Sequence, residues 1–141
     1  MKPDGAKSKF LNVDLDLHGM AGLDRLLAAL ESDIFVLNDG LIGEMGFAVL
    51  ELTRQPSTID EAIAWYAEAI GRLSPELRNV WNKLERRTMK VGIQAGASKY
   101  STVFEASLET LAHLNELRTD LAFTVYRPDK ENDVVLGPDS T

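Results

Sequence analysis

A chain of 141 residues, 45% of them hydrophobic with a mean hydropathy of −0.12, has the size of one ordinary soluble domain and can bury a core without staples. It has no cysteine, which excludes disulfides, thiolate metal sites and cysteine nucleophiles and is compatible with a cytoplasmic location. The formal charge of −7 resolves into −9 over residues 10–71, +4 over residues 72–90 and −2 over residues 91–126, the two ends cancelling, an acidic body that argues against nucleic-acid binding.

The polar start Met1–Lys9 shows no signal-peptide pattern and leads directly into a strand. From Phe10 to His18, Leu11, Val13, Leu15 and Leu17 alternate with Asn12, Asp14, Asp16 and His18. A period of two predicts a strand with one apolar and one polar face. Gly19-Met20-Ala21-Gly22 interrupts it, and Leu23, Leu26, Leu27 and Leu30 then recur at helical spacing. Ile34–Leu37 is a short apolar run, after which Asn38-Asp39-Gly40 predicts a turn. Phe47–Leu52 reads as a second strand, with Ala48, Leu50 and Leu52 on one side and Phe47, Val49 and Glu51 on the other.

Thr58, with Glu61 three residues on, fits a capping box that opens the longest helix, whose stripe is Ile59, Ile63, Tyr66, Ile70 and Leu73. Ser74-Pro75-Glu76 starts another helix, with Leu77, Val80, Trp81 and Leu84 on its apolar face and Arg86 and Arg87 near its C-terminus. Met89, Val91, Ile93 and Ala95 alternate with Lys90, Gly92 and Gln94 as a strand. Ser107 caps a helix with Leu108, Leu111, Ala112 and Leu114, and Leu121, Phe123 and Val125 alternate with Ala122, Thr124 and Tyr126 in a last strand. No apolar run approaches the ~18–20 residues of a membrane span.

This order predicts an α+β fold: a mainly antiparallel, twisted sheet of about five strands with the helices packed on one face. Residues 10–126 form the single domain, and 1–9 and 127–141 are expected to be flexible tails, with a contact through Val134-Val135-Leu136 as the one exception. The uncovered face would gather Asn12, Asp14, Asp16, His18, Glu51, Lys90, Gln94, Thr124 and Tyr126, with the apolar Phe47 and Val49 among them. An apolar pair in a polar sheet face suggests that something covers it.

Asp14, Asp16 and His18 are the residues nearest to a chemical signature. Alternate strand residues stand about 7 Å apart on one side, so the three could share an ion or act as acid and base. A charged, solvated strand face has the same pattern. A metal site wants further ligands at set spacing, and the only other histidine is His113. Trp81 beside basic residues has the composition of a binding hot spot, but equally that of an amphipathic helix. On the second view the paired arginines serve the helix end, and one of them reaches over to neutralise Asp14 or Asp16. The loop Gly92–Thr102 lacks the lysine–hydroxyl pair of a phosphate loop.

Three stretches, Asn12–Leu17, Leu73–Arg87 with Val91-Gly92-Ile93, and Ser107–Leu111 with Thr124-Val125-Tyr126, together resemble small uncharacterised α+β proteins of bacteria, of the general immunity-protein kind. The resemblance implies a bacterial, cytoplasmic, non-enzymatic protein and carries no catalytic residue. The expectation is therefore a protein-binding module without cofactor or metal. Its binding residues are Asp14, Asp16, His18, Phe47, Val49, Glu51 and Tyr126, and its partner is another protein or a second copy rather than nucleic acid or membrane. The rival expectation is a small hydrolase or metal-dependent enzyme using Asp14, Asp16 and His18.

Overall fold

The computed structural model describes residues 5–128. Its elements follow the predicted order: β1 (Lys9–Gly19), α1 (Leu23–Leu30), β2 (Ile34–Ile42), β3 (Met45–Leu52), α2 (Ile59–Gly71), α3 (Pro75–Asn82), β4 (Arg86–Gln94), α4 (Leu108–Leu117) and β5 (Asp120–Tyr126). The five strands form one sheet in the order β2-β3-β1-β4-β5. All neighbours are antiparallel except β4 and β5, which run parallel and are joined through α4. The α+β class, the mainly antiparallel sheet and the single helical layer stand as read from the pattern.

Alternation explains which side is covered. Val13, Leu15 and Leu17 of β1, Ala48, Leu50 and Leu52 of β3, and Met89, Val91 and Ile93 of β4 are buried on the helix side. The helices meet them with Leu26, Ile63, Tyr66, Ile70, Trp81 and Leu114, among others. Two internal polar groups are satisfied within this layer. Tyr66 Oη donates to the Val13 carbonyl at 2.7 Å, and Trp81 Nε1 donates to the Leu117 carbonyl at 2.9 Å. Trp81 is fully buried and so belongs to the core rather than to a binding surface. In α4 the buried residues are Thr110, Leu114 and Leu117, whereas Leu108 and Leu111 are exposed.

The caps are the expected ones. Thr58 Oγ1 accepts from Glu61 N at 3.1 Å, and Glu61 Oε1 accepts from Ser57 N, one residue before the cap, at 2.8 Å. Ser74 and Ser107 accept from Leu77 N and Thr110 N. At the amino end, Ser98 N donates to the Ala6 carbonyl and Gly96 N to Ser8 Oγ, so residues 6–8 are pinned to the loop after β4, and β1 already begins at Lys9. A side chain at position 96 would collide with the Ala6 carbonyl. The expected tail beyond residue 128, with the contact through Val134-Val135-Leu136, lies outside the described residues.

Two local expectations need correction. Asn38-Asp39-Gly40 is not a turn: β2 continues through it to Ile42, and the chain reverses at Gly43, whose φ is 64°. A bulge at Leu37, between Val36 and Asn38, lets the polar triplet continue the ladder on an edge strand. Arg86 and Arg87 are not in a helical last turn either, because α3 ends at Asn82 and both arginines open β4. Arg87 nonetheless serves helix ends from the strand. Its guanidinium donates to the carbonyls of Trp81 (3.0 Å), Leu84 (2.8 Å) and Arg118 (2.9 Å), closing the chain after both α3 and α4.

Among the described residues no helix is long and apolar enough to cross a membrane.

Candidate functional site

The sheet face opposite the helices carries the predicted polar set, and strand register fixes who stands beside whom. His18 of β1 lies between Phe47 of β3 and Arg86 of β4, and Asp16 between Val49 and Thr88. One step further along, Asp14 faces Lys90, and the β1–β3 register carried on by one residue places Glu51 on its other side. Beyond that, Asn12 faces Gly92, which is paired with Thr124 of β5. Tyr126 lies opposite Gln94.

The two aspartates, alike in sequence, have different environments. Asp16 was expected on a bare acidic surface, but its side chain is only 7% exposed. His18 Nε2 lies 3.3 Å from one of its oxygens; Lys90 Nζ at 3.3 Å and Arg86 Nε at 3.8 Å approach the other. Arg86 Nε also donates to Thr88 Oγ1 at 3.2 Å. Asp16 is thus sealed beneath longer side chains from its own and the adjacent strand, as the counter-ion of a small network. The expectation that one of the paired arginines reaches this face holds for Arg86.

Asp14 is half-buried, and its carboxyl is pushed above the ordinary range. Burial is the main cause and the neighbouring Glu51 charge the second; Lys90 opposes both. Lys90 faces Asp14 across the ladder but sends its ammonium to Asp16, so its relief of Asp14 is incomplete. The same two acids act through the sheet: Asp14 and Glu51, after burial itself, raise the pKa of the Tyr66 phenol on the helix side.

Asp14, Val49, Glu51 and Tyr126 line one shallow, solvent-open concavity of about 460 Å³, together with Asn12, Gln55, Lys90, Gly92 and Thr124. Gly92 forms part of its floor, where a Cβ would sit 3.6 Å from the Tyr126 ring. Gln55 is held over one end because its amide donates to the Leu11 and Pro56 carbonyls. His18 and Phe47 lie outside the concavity as a tilted ring pair 6.4 Å apart. The structure therefore divides the predicted binding residues into an acidic hollow (Asp14, Glu51, Val49, Tyr126), a sealed network (Asp16, His18) and an aromatic flank (Phe47).

Sequence reasoning missed Gln55 and Thr88. Gln55 sits in the loop after β3, and only the fold carries it to this face. Thr88 was readable, since it continues the Lys90–Gly92–Gln94 alternation by one step. Among the described residues no three of His, Asp and Glu come together in a geometry that would hold a metal ion. His113 lies on α4, in the helical layer, 3.9 Å from Glu109, so it cannot join the open face. Comparison of the chain with protein-family models, with curated proteins and with solved structures finds no match in any of the three.

Proposed function

We propose that the chain is a non-enzymatic recognition module that receives a cationic segment of another protein on the uncovered sheet face. One observation carries this reading. Asp14 and Glu51 are adjacent, partly desolvated acids flanked by half-buried Val49, while the cation beside them is drawn off to Asp16. Two like charges held together in a hollow cost stability unless a partner's cation satisfies them. An arginine or lysine entering between them would gain charge-assisted hydrogen bonds, and apolar neighbours would cover Val49 and Phe47. The net charge of −7 favours encounter with such a segment.

The test is a titration of isotopically labelled protein with a synthetic peptide alternating Arg and Leu, and with its Glu-for-Arg counterpart. Amide shifts should move at residues 12–16, 47–51 and 90–94 with the cationic peptide only, shrink as salt is raised, and vanish in the Asp14→Asn/Glu51→Gln variant. Shifts that fall on the helical layer, or that survive in the double variant, would refute the proposal.

The enzymatic reading retains one supporting observation: a carboxyl raised in pKa beside a second carboxyl is the arrangement acid–base chemistry uses. It would now rest on Asp14 and Glu51 rather than on Asp16 and His18. Turnover of activated esters or glycosides abolished by Asp14→Asn would favour it.

A further inference from the structure

We infer that two copies of the chain pair edge to edge through β2, forming a closed two-fold dimer with one continuous ten-stranded sheet. The inference concerns a different surface from the acidic hollow and does not depend on what that hollow binds.

Among the described residues, β2 is bonded to a neighbour on one side only. Five of its nine residues are large apolar side chains left in water: Phe35 (42% exposed), Val36 (40%), Leu37 (48%), Leu41 (72%) and Ile42 (59%). Natural edge strands are guarded by lysine, proline or short length. β2 has neither residue type and a single charge, Asp39. The opposite edge, β5, begins at Asp120 and runs into Arg127-Pro128, which provides such guards. β5 also exposes Phe123 and Val125, but β2 is the longer edge, at nine residues against seven.

The strand is also complementary to itself. Counted across the bulge at Leu37, Ile34, Val36, Asp39 and Leu41 lie on the helix side, and Phe35, Asn38 and Gly40 on the open side. Antiparallel partners must share a face. A two-fold axis through Asn38 meets that condition, setting Asn38 opposite its copy, Val36 opposite Asp39, Phe35 opposite Gly40 and Ile34 opposite Leu41 of the second copy. Phe35 then stands beside Gly40 on the open face, next to the Phe47 ring that already covers that glycine. Moving the axis one residue toward Ile42 would place Asp39 against Asp39, which like charges oppose.

Large side chains carry on the order of 150–200 Å² each, so the five exposed ones could remove at most roughly 900 Å² from water over both copies, to which the paired backbone adds, bringing the contact toward the lower end of specific interfaces. Isologous pairing consumes the edge completely, so growth stops at two.

Sedimentation of the intact chain at about 100 μM, a concentration suited to an interface of this size, should give twice the 15.6 kDa chain mass. Leu41→Lys, at a largely exposed position, should give the single mass with an unchanged circular dichroism spectrum. Because the chain lacks cysteine, Asn38→Cys should oxidise to a linked dimer many-fold faster than a control Ala64→Cys on the exposed side of α2. A wild-type chain of single mass, a Leu41→Lys protein that remains double, or equal cross-linking of the two cysteine variants would overturn the inference. Failure of the dimer leaves peptide binding by Asp14 and Glu51 to be judged by its own titration.

Discussion

Replacing Asp16 with asparagine removes one negative charge from beneath His18, Arg86 and Lys90 while leaving the shape nearly unchanged. Breaking a fully buried ion pair costs about 3–5 kcal/mol, but the two cations here are 52% and 41% exposed and can turn to water. Screening and rehydration therefore cut the cost to about 1.5–2 kcal/mol, in line with loss of charge-assisted contacts to one carboxylate. For a chain of this length that is a fall in melting temperature of about 5–7 °C. Urea unfolding of the wild type, Asp16→Asn, Lys90→Met and the double variant would give both the cost and the Asp16–Lys90 coupling. A loss below about 0.5 kcal/mol, typical of a surface substitution, would refute the view that Asp16 is a structural counter-ion and return it to the candidate binding residues.

Asp14→Asn should act with the opposite sign. The folded protein holds the Asp14 proton more tightly than the unfolded chain does, since burial and the Glu51 charge keep its carboxyl above the ordinary carboxylate range. Stability from this group is therefore complete below about 3.8 and is lost as pH rises through the folded pKa. The variant should be more stable than wild type at pH 7 and no different at pH 3 in paired urea titrations, and a loss at pH 7 would contradict the account. Arg87→Met should cost about 2 kcal/mol, because three helix-end carbonyls lose a charged donor. Arg87→Lys should recover little of it by thermal melting, since one ammonium cannot bridge both ends.

The residues that the sequence made legible are those whose two faces meet different media. From Asn12 onward β1 alternates cleanly because helices cover one side and water the other, so Asp14, Asp16 and His18 could be assigned to a face from spacing alone; at Leu11 a break in register turns the expected core residue toward the hollow instead. β2 was misread because it is an edge: with a single neighbour, Asn38, Asp39 and Gly40 cost little in a strand, and turn chemistry looks the same in either setting. Gly40 is there for another reason, since a Cβ would lie 3.1 Å from the Phe47 ring. Arg86 and Arg87 were assigned to a helix because their role at helix ends is real but is exercised from the next strand. What spacing could not supply is register between distant strands. Asp16 is sealed because Arg86 and Lys90 arrive beside it on β4, and Asp14 is raised by its burial and by Glu51 arriving beside it on β3.

That dependence of β1 on β4 also has a kinetic side. The strand at the centre of the sheet has one partner, β3, close behind it in the chain, and the other only after α2 and α3 have been made. On a ribosome, β1 must wait with one edge unpaired while every residue from Gly19 to Arg86 is synthesised. Such long-range closure is slow compared with helix or hairpin formation. The young chain therefore passes through a stage in which its central strand is only half enclosed, and chaperone demand should peak there.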